Sequence, residues 1–295
     1  HQAGNSARAF QLFTNYVVRF PTNQLAPVAQ KWIADHQFQS GKFIEAEQGY
    51  RRLFENTNLL ANAPGMEWEA RLSAGRSAFF RQEHAAAELL LASVVNATNA
   101  PVAELARAEF YLGDVAADQT GRTPTNLLDA LPHYQRVANE LPNSPLNPSA
   151  WGRIGDCHLQ LGNLDSAMEA YRIVTELPSA DVTTRSQAGL GLAHVLDKLA
   201  EAAGETEERE KLRKRSLEQC MEIVFGGNLR SANEKLDPFW VKEAGLMAGR
   251  LARLLGRAEQ ERKVYSRLAK ELPGMSLWQA KLDGLRVKQE TLKKP

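Results

Sequence analysis

Two cysteines in 295 residues exclude a disulfide framework, and Cys157 and Cys220, from different parts of the chain, both fall at core-type positions where they act as small hydrophobes. No run of about 18 apolar residues occurs, so no segment reads as a membrane-crossing helix. Neither sign of charge is in excess: Lys plus Arg is 36, Asp plus Glu is 35, and the net charge is +1. That balance gives no electrostatic reason to expect nucleic acid or an anionic membrane as partner. Aromatics are held to 7%. The opening HQAGNSARAF has neither a basic n-region nor an apolar h-region, and His1 reads as a tag remnant or cleavage point, which leaves the compartment open.

Patterns that carry chemistry are equally scarce. The histidines at 1, 36, 84, 133, 158 and 194 form no His-x3-His spacing, and there is no Cys-x2-Cys, so no metal site is expected. GLGLAH at 189–194 lacks the preceding strand and third glycine of a dinucleotide loop, and GRTPTN at 121–126 lacks the lysine of a phosphate loop. No Ser/His/Asp arrangement can be assembled. The expectation is a protein without catalytic residues, cofactor or metal.

What is present is a recurring spacing. A small residue, a large one four on and an aliphatic or aromatic one three further occur as Ala46, Tyr50, Leu53; as Ala87, Leu91, Val94; as Ala130, Tyr134, Val137; and as Ala167, Tyr171, Val174. Looser versions are Ala9, Phe13, Tyr16; Ser216, Cys220, Ile223; and Glu261, Tyr265, Leu268. Offsets of four and three share one helical face. A second small residue lies twelve upstream: Ala34 before Ala46, Gly75 before Ala87, Gly155 before Ala167, Gly249 before Glu261. Gly41, Gly162 and Gly256 sit where a turn would end the first helix of a pair, and Pro21, Pro142, Pro178 and Pro273 close the second.

These helix pairs resemble the tetratricopeptide repeat (TPR) family, best in WGRIGDCHLQLGNLDSAMEAYRIVTELP at 151–178 and next in AQKWIADHQFQSGKFIEAEQGYRRLF at 29–54. The resemblance implies an all-α, right-handed superhelical solenoid of antiparallel A and B helices. It predicts one array over 1–295: a lone helix B at 5–20, units at about 23–58, 66–98, 101–141, 146–178, 182–225 and 235–272, and a capping helix at 276–292. Two stretches read as inserts, 117–129 and 200–215, the second lengthening both helices of its unit, with Thr206 as an N-cap. The stretch 20–56 is further similar to the FP- and YP-ended repeats of bacterial cell-envelope proteins, those of the Tol–Pal-associated periplasmic protein and an outer-membrane assembly lipoprotein among them, which implies an envelope or periplasmic setting.

The family also implies a concave groove lined by A helices, with a protein or peptide as partner. Carried over, its groove positions are Lys31, Asp35, Phe38, Leu72, Arg76, Phe79, Phe80, Arg107, Phe110, Asp114, Arg153 and Asp156, then Arg250 and Arg253. Phe38, Phe79, Phe80 and Phe110 are either an exposed binding ladder or packing between units. One subclass grips a C-terminal carboxylate; the corresponding positions here hold Lys31, Asp35, Ser73, Arg107 and Tyr111. Asp35 would repel a carboxylate, so that activity is not expected. His158 and His194, at one repeat position, are expected as a buried hydrogen-bonded pair and not as metal ligands. The leading expectation is an interaction scaffold without membrane insertion. Self-association or further repeats upstream is the rival, motivated by the apolar residues of 5–20, and a helical domain attached to an enzyme is the third.

Overall fold

The computed structural model describes residues 3–118, 124–204, 207–272 and 276–292, with side chains from 6 to 285 within those ranges. Thr206, Pro273, His1 and part of the insert at 117–129 lie outside the described residues. The fold is all-α, a solenoid of antiparallel helix pairs. Two compact units divide it, His1–Asn147 and Pro148–Pro295.

The first unit holds α1 (Ala3–Arg19), α2 (Ala26–Gln39), α3 (Phe43–Glu55), α4 (Thr57–Asn62), α5 (Met66–Phe80), α6 (His84–Val95), α7 (Val102–Asp118) and α8 (Pro124–Gln135), which runs into a π-helical turn, Arg136–Glu140. The second holds α9 (Asn147–Leu161), α10 (Leu164–Glu176), α11 (Val182–Ala202), α12 (Glu207–Phe225), α13 (Pro238–Leu254), α14 (Ala258–Glu271) and α15 (Ser276–Leu292).

Local chemistry ends the helices where the chain must turn back. Gly41 has φ +73° and Gly162 φ +80°, the left-handed region that favours glycine. In each case the two following amides reach back to the last helical turn: Gly41 N donates to Phe38 O at 3.0 Å and Lys42 N to Gln37 O at 2.9 Å. The α5–α6 turn uses the same bonding with Gln82 at φ +63° in the glycine's place. At other glycines the requirement is space. A Cβ on Gly113 would lie 2.5 Å from the Tyr134 ring, one on Gly155 2.6 Å from Tyr171, and one on Gly249 2.3 Å from the Tyr265 hydroxyl. The small residue of helix A thus receives the large residue of helix B. Tyr171 also occupies the space left by Gly191, so its ring ties α9 and α11 to α10.

Two elements were not expected. The short α4 is started by Asn56, whose Oδ1 accepts from Asn58 N at 3.0 Å and Leu59 N at 3.4 Å. The π-helical turn follows Pro132, which lacks the amide hydrogen that would continue the α-helical ladder. Asn147, buried, satisfies that turn's end by donating to Ala138 O at 2.7 Å. In the second unit, Arg230 caps α10 by donating to Thr175 O and Leu177 O, both at 2.5 Å. Buried Arg185 fixes the same loop through Asn228 O at 3.0 Å and Glu234 at 2.6 Å. Cys157 and Cys220 are free and buried, and burial pushes the Cys220 thiol up to about 12.

Candidate functional site

The residues singled out on α2, α5 and α7 divide into three groups. Leu72 is fully buried and Phe110 is buried too, Phe110 edge-on to Tyr134 at 5.6 Å. α5 is flanked by α3, α6 and α7, so the Leu72 face that the family resemblance assigns to a groove lies inside the core.

The second group is charged and already engaged. Lys31 sits 2.9 Å from Asp35 and 3.2 Å from Glu69, and although burial alone would lower its pKa, those two carboxylates raise it. The Asp35 carboxylate also accepts from the Tyr50 hydroxyl at 2.7 Å. The same relation returns as Tyr134 to Asp114 at 2.8 Å and Tyr171 to Asp156 at 2.7 Å. In each case the helix B tyrosine passes the small residue of helix A and donates to the aspartate that follows it. Burial and the neighbouring carboxylate hold the Tyr50 and Tyr171 hydroxyls well above their ordinary value. Asp156 further accepts from Gln187 at 3.1 Å and lies 4.0 Å from exposed Arg153. Also in the second unit, Arg250 pairs with Asp197 and Arg253 with Glu261.

The third group is a set of aromatic rings beside Arg76. Phe80 is 50% exposed and packs on Phe43 (5.1 Å, stacked) and Phe38 (5.5 Å, edge), with half-buried Phe79 beside it at 5.9 Å. Arg76 breaks the aspartate rule: it stands where Asp35, Asp114 and Asp156 stand, and its helix B counterpart is Leu91 in place of tyrosine. Its guanidinium lies 5.2 Å from the Phe38 ring centre and 5.1 Å from that of Tyr111. Among the described residues Arg76 has no carboxylate partner, and neither has half-buried Arg107, one turn before Tyr111 on α7. Between these helices is a cavity of about 210 Å³, lined by Arg76, Phe79, Phe80, Leu91, Tyr111, Asp114 and Val115. It is smaller than the roughly 300–1,000 Å³ of small-molecule pockets.

Phe43, Leu91, Tyr111 and Val115 were not among the expected site residues. The paired change at Arg76 and Leu91 is the signal that marks this unit as different. The expected histidine pair is not formed: His194 is exposed, and half-buried His158 has Nδ1 3.5 Å from Asn163 Nδ2. Among the described residues no group of three His, Cys, Asp or Glu could hold a metal ion, and no helix is long and apolar enough to cross a membrane.

No protein-family model matches the chain, and no curated protein is similar to it in sequence. Solved structures are similar in fold. The C-terminal part of a TPR repeat-containing protein from Cytophaga hutchinsonii superposes with TM-score 0.57 at 10% identity, covering 94% of this chain and 95% of that one. Pseudomonas aeruginosa pilF gives 0.52 at 13% identity, covering 89% and 97%. BtubC (BKLC) from P. vanneervenii gives 0.50 at 18% identity, covering 79% and 96%. Helix pairs closed by a large residue against a small one, and this likeness in three dimensions, give the chain the fold of tetratricopeptide-repeat proteins.

Proposed function

We propose that the chain is a non-catalytic protein-interaction scaffold that takes a segment of a protein partner on the face shared by α2, α5 and α7. One observation carries this reading: Phe80, half-exposed among Phe38, Phe43 and Phe79, stands at the mouth of a cavity sized for one side chain. Aromatic and arginine anchors beside a pocket supply most of the energy at protein interfaces. The bacterial cell-envelope setting belongs to the proposal and rests on the likeness of residues 20–56 alone.

The test is affinity capture from the source lysate with the wild-type chain and a Phe80→Ala variant of unchanged helicity. Phe38 and Phe79 pack against the core and are left intact. A partner captured by the wild type and lost with Phe80→Ala supports the face; partners retained equally by both would remove it.

A second reading is self-association through α1. Leu12 is 60% and Val18 76% exposed, while Phe13, its ring tilted against that of Trp32 at 4.8 Å, holds the opposite side of the helix to α2. Sedimentation equilibrium decides it: a monomer at high concentration would dismiss this reading.

A further inference from the structure

A second cavity, of about 310 Å³, lies in the second unit among α10, α11, α12 and the loop that follows α12. It falls at the lower end of the roughly 300–1,000 Å³ of small-molecule pockets. Three charged side chains line it, Arg185, Glu222 and Arg230. Arg185 is buried and its charge is met by Glu234 at 2.6 Å; its remaining bonds go to Asn228 O and Ala180 O, so it belongs to the wall. Arg230 is held differently. One N–H from each terminal nitrogen goes to Leu177 O and Thr175 O, which fixes the guanidinium and leaves its other N–H groups uncommitted. The exposed Glu222 carboxylate has no ion pair or hydrogen bond among the described residues, and neither has the half-buried Gln219 amide, one turn earlier on α12. Ile223 and Leu229 supply the apolar part of the lining.

An anion and a cation thus share one small cavity without pairing with each other. A ligand carrying only a negative charge would face Glu222, and one carrying only a positive charge would face Arg230. A ligand with both charges on neighbouring atoms satisfies the two together. We infer that this cavity binds a free aliphatic α-amino acid, its ammonium group at Glu222, its carboxylate at Arg230 and its side chain against Ile223 and Leu229. A peptide holds its ammonium and carboxylate groups at opposite ends and cannot bring both into a space of this size. The site lies wholly in the second unit, so it stands or falls independently of the docking face on α2, α5 and α7.

An NMR titration of the full 295-residue chain, labelled with nitrogen-15, tests this through the amide shifts of Gly227, Asn228 and Leu229. The probes are L-leucine, N-acetyl-L-leucine, which keeps only the carboxylate, and L-leucinamide, which keeps only the ammonium group. Leucine should shift these amides saturably, with a dissociation constant of about 1 mM because the site is open to solvent. Each analogue should bind about tenfold more weakly, as expected for the loss of one bond between charged groups. Glu222→Gln, an exposed position, should weaken leucine by the same factor and leave N-acetyl-leucine unchanged. Arg230 anchors the end of α10, so its contact is read through leucinamide on the wild-type chain and not by substitution. Absence of a saturable shift with leucine at tens of millimolar overturns the inference. So does equal binding of the three ligands, a preference for either singly charged analogue, or a leucine affinity that Glu222→Gln does not change. If Glu222→Gln weakens leucine and N-acetyl-leucine equally, the carboxylate does not meet the ammonium group, and the inference fails on that count too.

Discussion

The Tyr171 hydroxyl donates to Asp156 Oδ1 across 2.7 Å, while the ring that carries it fills the space left by Gly155 and Gly191. Position and polarity are set by one side chain. Tyr171→Phe keeps the ring and removes the bond, and should lower stability by about 1–2 kcal/mol, measured by urea denaturation.

Glycine substitutions separate space from propensity. Gly191→Ala would place a Cβ 2.4 Å from the buried Tyr171 ring. Such overpacking costs about 1–3 kcal/mol, more than the roughly 0.5–1 kcal/mol gained in helix propensity. Gly152→Ala meets nothing within 4 Å and should stabilise by that smaller amount. Opposite shifts in Tm are expected, and shifts of the same sign would refute the packing argument.

Gln82 occupies a left-handed turn position, φ +63°, where Gly41 and Gly162 stand in the equivalent turns. Relief of that conformation by Gln82→Gly should raise stability by about 1 kcal/mol, read as a higher denaturant midpoint with unchanged slope.

Burial holds His158 below its ordinary 6.5. The unfolded chain then takes up this proton at a higher pH than the folded one. Its contribution is intact above 6.5 and is lost as the pH falls through that value toward the folded pKa. His158→Gln should flatten this part of a stability-against-pH profile; an unchanged slope between pH about 7 and 5 would rule the residue out as its source.

Glu109 is 1% exposed and lies 2.5 Å from Arg136 and 2.7 Å from His133. Removing one partner of a buried charge costs about 3–5 kcal/mol. Arg136 is 49% exposed and His133 remains, so Arg136→Met is expected to lose about 2 kcal/mol, below that range. Thermal unfolding at neutral pH gives the value.

Local periodicity made much of this readable in advance. Ala46, Tyr50 and Leu53 share a face whatever surrounds them, and the small residue twelve upstream had to admit a large one. Gly41 and Gly162 were readable because a turn imposes its own chemistry. Tertiary contacts hid the rest. Nothing local to Leu72 distinguishes a groove from a core, because α5 is flanked by other helices. Asp35, Asp114 and Asp156 look like groove charges until the tyrosines of the next helix are seen to reach them. The six residues of α4 are too few for a period. Arg76 was noticed by position, but its meaning required the absence of tyrosine at Leu91 and the rings on either side.

Tyr171 has a mechanical consequence. Its ring is clasped by a helix before it and a helix after it, so the α9–α10 pair cannot peel away without exposing the face of α11 that it covers. Nearest-neighbour coupling in stacked repeats is set by such shared surfaces. Under tension α9, α10 and α11 should yield together, in one rip on a force–extension trace, and Tyr171→Ala should split that rip in two.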